Sequence, residues 1–584
     1  MHARRIGGMR FAGIAALSAS VALAVNALAA DSTLAAASGT NGKAGSGTGD
    51  WPQWGGTDAR TMASPAKGIP ESFDPGPKLK TGEYELSKGK NVKWVARLGS
   101  YCCGTPTVSG GKVFVGTNNV APRDPKYKGE RGVVMCFEEA TGKFLWQCAL
   151  PAIPKMGNAN MFFAQLGICS SPLVDGERVY FVTNRAELLC VSTNGLGDGK
   201  NEGPYKDEAL LYAPFVGLQL NPELVQNGRI VRAKKGLPIW VWKQPTDPVT
   251  LSATDADVIW RYDMLNDLPC WVQDAASCSP LVHGDYLYVC TPNGVEESHR
   301  ILPTPDAPAI IVMDKKTGKV VATDDAKIGP RTLHGSWSSP SLGQAGGKTL
   351  LFLAAPDGVC YAFDPKPVPS ESGGVGTLKK VWSFDGNLQK NRFTDPRKCN
   401  YASHNKPGAE GPSEYIATPA FHEGRVYVAN GQDPRHGPGP AVLSCIDASK
   451  EGDITDSGKV WQYTDLNRTL STVSIADGLL FIGDLKGAVH CLDAATGKPY
   501  WVHPTESPMW GSTFAVDGKV FVGNEKGDLW VLAASKELKV LSKINLGAPI
   551  YATPIVANGV LYVATNKHLF AVQQTNRQDA KDAK

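Results

Sequence analysis

The sequence predicts an all-β fold, an eight-bladed β-propeller of four-stranded antiparallel blades whose ring is closed by a strand from the N-terminal side. Three observations carry this. A unit of short alternating strands separated by Gly turns recurs to the end of the chain, most clearly from Ser471 to Trp501, STVSIADGLLFIGDLKGAVHCLDAATGKPYW. Eight hydroxyl residues open the units: Thr105, Ser171, Ser279, Ser339, Thr418, Thr472, Ser512 and Thr553, each preceded by a small residue. The last three starts stand about 40 residues apart, the period of a propeller blade. A Trp then recurs in the fourth strand, at Trp94, Trp146, Trp260, Trp382, Trp461 and Trp501, and is missing from two units.

Closure follows from the order of these parts. Trp94 precedes the first start, whereas the last unit stops after its third strand. The strand around Lys93-Trp94-Val95 therefore completes the last blade and removes the open edges.

The rest of the chain divides around this ring. Residues 1–30 read as a signal peptide: Arg4, Arg5 and Arg10 lead a small apolar run, and Ala27-Leu28-Ala29 offers a cleavage site. Residues 31–50 are a flexible spacer rich in Ala, Gly, Ser and Thr, and 51–90 form an N-terminal extension. The propeller is expected over 91–575, with an insertion at 195–257 and a disordered tail at 576–584. No segment after the signal peptide is apolar and long enough to span a bilayer. These features predict a periplasmic or secreted protein.

Composition sets outer limits. Hydrophobic residues make up 42% and charged residues 20%, enough for a large core, and 63 Gly and 41 Pro suit many tight turns. The net charge of +4 falls close to neutral once the three leading Arg are removed, which argues against nucleic acid as a partner. Thirteen Cys leave at least one unpaired within a monomer. Cys136, Cys190, Cys445 and Cys491 share one third-strand position and read as small core residues.

Strand direction places the fourth-to-first and second-to-third connections on one face. Tight turns such as Asp477-Gly478 and Asp517-Gly518 mark the opposite face. Insertions at 149–168, 291–309, 385–415 and 430–441 fall on the shared face, which makes it the candidate site. The 195–257 insertion follows a third strand and is expected on the opposite side. Two residues before each start comes a ring of positions near the axis: Cys103, Cys169, Ser277, Trp337, Ile416, Leu470, Trp510 and Tyr551. Trp337, Trp510 and Tyr551 are candidates to stack a planar ligand, against the alternative that they plug the channel or pack against neighbouring blades. His299, His334, Asp433, Arg435 and His436 lie in the loops above, and Glu414 and Arg468 are the only charged residues close to the starts.

The repeat resembles that of the pyrroloquinoline-quinone (PQQ) dehydrogenase-like superfamily over roughly residues 90–572. The opening Trp51-Pro52-Gln53-Trp54-Gly55-Gly56 and the stretch His334-Gly335-Ser336-Trp337-Ser338-Ser339-Pro340 resemble exported bacterial PQQ-like propellers. That resemblance implies a fold but two functions, because related propellers include dehydrogenases and non-catalytic scaffolds of outer-membrane assembly. For the dehydrogenase it implies a disulfide between adjacent cysteines on the PQQ plane, matched here by Cys102-Cys103; a cross-blade Cys103–Cys169 bond and free thiols remain alternatives. It also implies basic groups for the PQQ carboxylates, a calcium ion held by oxygens and a catalytic Asp, none of which the sequence places. No CxxCH for a c-type haem occurs, and no metal site is expected.

The favoured reading is a non-catalytic binding or scaffold propeller outside the cytoplasm, taking a protein, glycan or small molecule on the loop-rich face. The alternative is a PQQ- and calcium-dependent dehydrogenase of an alcohol or sugar. The ligand-binding candidates common to both are Cys102, Cys103, Trp337, Trp510, Tyr551, His334, Arg468 and Glu414.

Overall fold

A computed structural model describes residues 49–153, 164–243, 245–296, 301–387, 413–431 and 440–574. Eight antiparallel sheets follow one another along the chain. In each, the strand that follows a hydroxyl start is innermost. The strand Val92–Arg97 pairs with His568–Val572, Trp94 opposite Ala571, and completes the eighth blade as the sequence predicts. Three sheets have five strands rather than four. Gly376–Leu378 and Gly452–Asp453 lie parallel to the outer strands of blades three and four and cover their edges, while Ala63–Ser64 adds to the inner edge of blade seven.

Two repeated hydrogen bonds join the blades, and they give the sequence signals their physical cause. Near the axis, the backbone N–H of one start residue donates to the hydroxyl of the next. Thr105 donates to Ser171, Ser171 to Ser279, Ser279 to Ser339 and Ser339 to Thr418, over 2.9–3.1 Å. Thr472 donates to Ser512, Ser512 to Thr553, and Thr553 closes the circle on Thr105 at 3.1 Å. Seven of eight links are made this way; the Thr472 hydroxyl is buried without a partner.

At the periphery, each repeated Trp donates its indole N–H to a carbonyl of the next blade. Trp94 reaches Glu139, Trp146 Thr193, Trp260 Lys315, Trp382 Ala448, Trp461 Ala494 and Trp501 Ser535, all over 2.9–3.2 Å. Under several of these indoles lies a turn glycine in the left-handed region. A Cβ on Gly142 or Gly497 would stand 2.6 or 2.5 Å from the ring of Trp94 or Trp461. The Trp and the Thr-Gly turn are two halves of one joint.

The first strands are the inner edges of their sheets, and their backbone groups would be orphaned in a hollow channel. The N-terminal extension answers them. Carbonyls of Trp51, Pro52, Asp58, Ala59, Thr61 and Met62 accept N–H groups from Val108, Val174, Leu342, Phe421, Ile475 and Ala515, in six different blades. Gly49 accepts from Asn558 in the eighth blade. Arg60 supplies the remaining contact. It is fully buried, and its guanidinium donates to the Pro280 carbonyl of blade three at 3.0 Å, to Pro340 of blade four at 3.2 Å and to Trp54 within the plug. Burial holds this guanidinium down to about 10. Gly55, at φ +71°, lets the chain turn tightly enough that a Cβ there would lie 2.7 Å from Arg60 Cα. The segment 49–64 thus plugs the end of the channel where the first-to-second turns lie.

The 195–257 insertion departs from expectation. It leaves from the opposite face but runs around blades one and two to the shared face. Arg131 donates to the Tyr212 carbonyl at 2.8 Å, Arg185 donates to that of Leu211 and stacks on Phe215, and Ala233 N–H reaches the Pro303 carbonyl at 2.7 Å. The physical reason is a buried charge cluster at the top of blade two. Despite burial, Arg185 and Arg261 hold the Glu187 carboxyl down to about 2, and the same Arg185 grips the insertion. Among the described residues no helix is long and apolar enough to cross a membrane.

Candidate functional site

The ring two residues before the starts faces the end of the channel opposite the plug. Seven of its eight side chains are half-buried, Cys103, Cys169, Ser277, Trp337, Leu470, Trp510 and Tyr551, while Ile416 is buried. The residues directly after them, Gly104, Ser170, Cys278, Ser338, Ala417, Ser471, Gly511 and Ala552, are all buried. A β-strand sends successive side chains in opposite directions, so this alternation marks the mouth of the channel. Beneath it, the hydroxyl ring and then Arg60 form the floor.

Seven of the eight predicted residues gather into three groups around that mouth, and Cys102 stands apart. On blades seven, eight and one, Trp510 packs against Tyr551 with ring centroids 5.7 Å apart, and Tyr101 stacks on Tyr551 at 6.4 Å. Trp510 Nε1 donates to Glu525, which also accepts from the Tyr551 hydroxyl. Burial, and then the Glu525 charge, push the Tyr551 phenol up. Cys103 of blade one and Cys169 of blade two complete this group, with their thiols in hydrogen-bond contact.

On blades three and four, His334 meets Trp337 edge to face at 5.3 Å, and its Nε2 lies 3.5 Å from Asp274. Gln273 Oε1 accepts from the Gly335 and Val295 N–H groups and fixes the loop. The buried Ser336 hydroxyl and Trp337 Nε1 have no partner. On blades five and six, Glu414 is buried and bridges Gly431 by backbone, and a Cβ on Gly431 would lie 3.4 Å from Arg468 Cα.

Of the candidates to stack a planar ligand, Trp337 packs against His334, and Trp510 against Tyr551 and Glu525. Cys102 turns inward: it is fully buried, its N–H donates to Asn566 Oδ1 at 3.1 Å and its Sγ to the Gly104 carbonyl at 3.5 Å. Burial pushes its thiol up. His299, Asp433, Arg435 and His436 lie outside the described residues. Tyr101, Glu525, Gln273 and Asp274 escaped the sequence reading. Glu525 could have been found, since the second-to-third turn Asn524-Glu525-Lys526-Gly527 repeats Asp484-Leu485-Lys486-Gly487 with a charge in place of Leu485.

The donor set fits PQQ and calcium poorly. Among the described residues no group of three or more His, Cys, Asp or Glu side chains is placed to hold a metal ion. Of the two charged residues near the starts, Glu414 is buried and Arg468 is half-buried.

A family model described as outer membrane protein assembly factor BamB, built on PQQ repeats, matches residues 385–503 and 441–539. No curated protein matches the chain. Among solved structures, BamB from Moraxella catarrhalis is 12% identical with a TM-score of 0.46, over 83% of this chain and 97% of that one. The quinohemoprotein alcohol dehydrogenase from Comamonas testosteroni is 14% identical with a TM-score of 0.43, over 91% of this chain and 81% of that one.

Proposed function

We propose that this propeller of PQQ repeats is a non-catalytic binding or scaffold protein outside the cytoplasm, and that it takes a protein, glycan or small molecule at its mouth. The observation that carries the reading is the contrast within the first strands. Their lower ends are satisfied by the chain's own plug, whereas their upper ends present half-exposed, uncharged side chains with rigid aromatics among them. Aromatics held by neighbours supply contact area at little entropic cost. The basic N-terminal stretch supports export. The family model described as an assembly factor favours a protein partner.

The dehydrogenase reading rests on the repeat and on Cys102-Cys103. The inward turn of Cys102 and the poor donor set weigh against it. Titration with PQQ and calcium decides between them. The expected result is no saturable quenching of Trp fluorescence and no dye reduction with alcohols or sugars; robust turnover overturns the proposal. On the binding side, a photoreactive side chain at Leu470 should capture a partner in the native cell. The same group at Val502, 46% exposed on an outer strand, should not. Trp510→Ala should weaken the captured partner's binding by more than about 1 kcal/mol.

A further inference from the structure

We propose that Cys103 and Cys169 are a reversible dithiol–disulfide pair joining blades one and two at the mouth, a redox modification site that does not depend on what the mouth binds. Among the twelve described cysteines ten are buried, and the two that reach solvent are these two, in contact with each other. Their contact follows from the ring. They hold the same position on adjacent blades, just above the link in which Thr105 N–H meets the Ser171 hydroxyl at 2.9 Å. The two backbones approach so closely that a Cβ on Gly104 would stand 2.8 Å from the Ser170 carbonyl oxygen and 3.1 Å from that of Cys169. Other neighbours at this position also touch: Ser277 donates to the Trp337 carbonyl at 3.4 Å, and Trp510 packs on Tyr551 at 5.7 Å. Blades one and two place a thiol on each side of such a contact.

Two comparisons sharpen the assignment. Cys102 adjoins Cys103 in sequence but is buried and bonded inward, so a vicinal bond would have to pull it from Asn566 and Gly104. Cys278 and Cys290 also touch, with Cys290 N–H donating to Cys278 Sγ at 3.2 Å, but both are buried beyond the reach of an oxidant.

The oxidant is a disulfide, either a protein exchange partner or oxidised glutathione. One thiol of the pair loses its proton and its thiolate attacks a sulfur of that disulfide, releasing one thiol from it. The second thiol of the pair, deprotonated in turn, displaces the other half. The new Cys103–Cys169 bond forms as the mixed disulfide breaks, and two electrons and two protons leave on the reduced oxidant. The bond would tie blade one to blade two beside Tyr101 and Tyr551.

The full-length chain, equilibrated in reduced and in oxidised glutathione, then acid-quenched and alkylated under denaturing conditions, tests this. Oxidation should remove two alkylation equivalents, and a non-reduced digest should yield one peptide linking Cys103 to Cys169. Cys278 and Cys290 should label fully in both buffers. Cys103→Ser and Cys169→Ser should each abolish the loss, Cys102→Ser should leave it intact, and the process should reverse on return to reduced glutathione. Mapping of the wild-type chain alone suffices should a variant fold poorly. A Cys102–Cys103 linkage, a glutathione adduct on Cys103 without a cross-link, or full labelling of both thiols in oxidised glutathione overturns the proposal.

Discussion

The two ends of the channel are built from the same eight strands and finished in opposite ways. At the base, six inner-edge N–H groups are paired by the N-terminal segment and a buried arginine fills the axis. At the mouth, seven of eight ring side chains remain half-exposed. A repeat fixes where side chains point but not whether they are covered; here the covering comes from outside the repeat. Removing it tests the contrast most severely. Deletion of 51–98 takes away the plug and the strand Val92–Arg97, leaving His568–Val572 as an open edge, and should yield aggregation in size-exclusion chromatography. A monomer that melts like the intact chain would break both the closure and the comparison.

The next largest effect isolates the plug. Arg60→Ala leaves the carbonyls of Trp54, Pro280 and Pro340 without their donor in a buried site. At roughly 1–3 kcal/mol for each orphaned group the loss should be on the order of 4 kcal/mol, read from urea denaturation. Arg60→Met, which fills much of the space, should lose less. Trp510→Ala at the half-exposed mouth should also cost less than Arg60→Ala; the reverse order would mean that the mouth aromatics are core and the base is the tolerant end.

What the sequence could reveal follows from the same contrast. The hydroxyl starts and the Trp positions were legible because each makes one bond many times, so the bond imprints a period on the chain. Trp94 could be assigned to the last blade for that reason. Arg60 makes its contacts once and has no period to betray it. The plug was visible only as the unexplained run from Trp51 to Gly56, whose meaning lies in contacts more than a hundred residues away: Trp51 against Phe514 at 5.3 Å, and the Pro52 carbonyl against the Val174 N–H. The insertion was misplaced because strand order fixes where a loop begins but not where its charges lead, and Arg131 and Arg185 lead this one to the shared face. At the site, the ring positions of Trp510, Tyr551 and Trp337 followed from the repeat, whereas the contacts of Trp337 with His334 and of His334 with Asp274 lie outside the repeat's register.

Acid should find the closing blade rather than the plug. His568 pairs with Arg97 of the closing strand and lies under Tyr84, with ring centroids 5.3 Å apart. Burial holds its imidazole down to about 4. In the unfolded chain it takes a proton near pH 6.5. Between those values the unfolded state binds more protons, so stability falls as pH drops from about 6.5 towards 4, by up to about 3 kcal/mol. Thermal melts across this range should show the slope, and His568→Gln should flatten it. An unchanged slope in that variant would place the acid sensitivity elsewhere.

The smallest expected effect probes the layer between the two ends. In the hydroxyl ring seven of the eight side chains accept the previous blade's N–H, so the worth of each position depends on whether that bond is made. Ser512 accepts from Thr472 N–H at 2.9 Å in a buried site, and Ser512→Ala strands the donor. A buried N–H without a partner costs about 1–2 kcal/mol, and the denaturation midpoint should fall accordingly. Thr472 holds the same position, yet its hydroxyl is buried with no partner. Thr472→Val keeps the β-branched shape and removes only the stranded oxygen. It should be neutral or stabilising by a few tenths of a kcal/mol, provided the methyl that replaces the hydroxyl meets no clash. Two substitutions at one repeat position would then differ in sign for a reason that lies wholly in the bond. If Thr472→Val instead costs as much as Ser512→Ala, the eighth link exists in solution and the ring is complete. The floor beneath the mouth would then be as fully satisfied as the base below it.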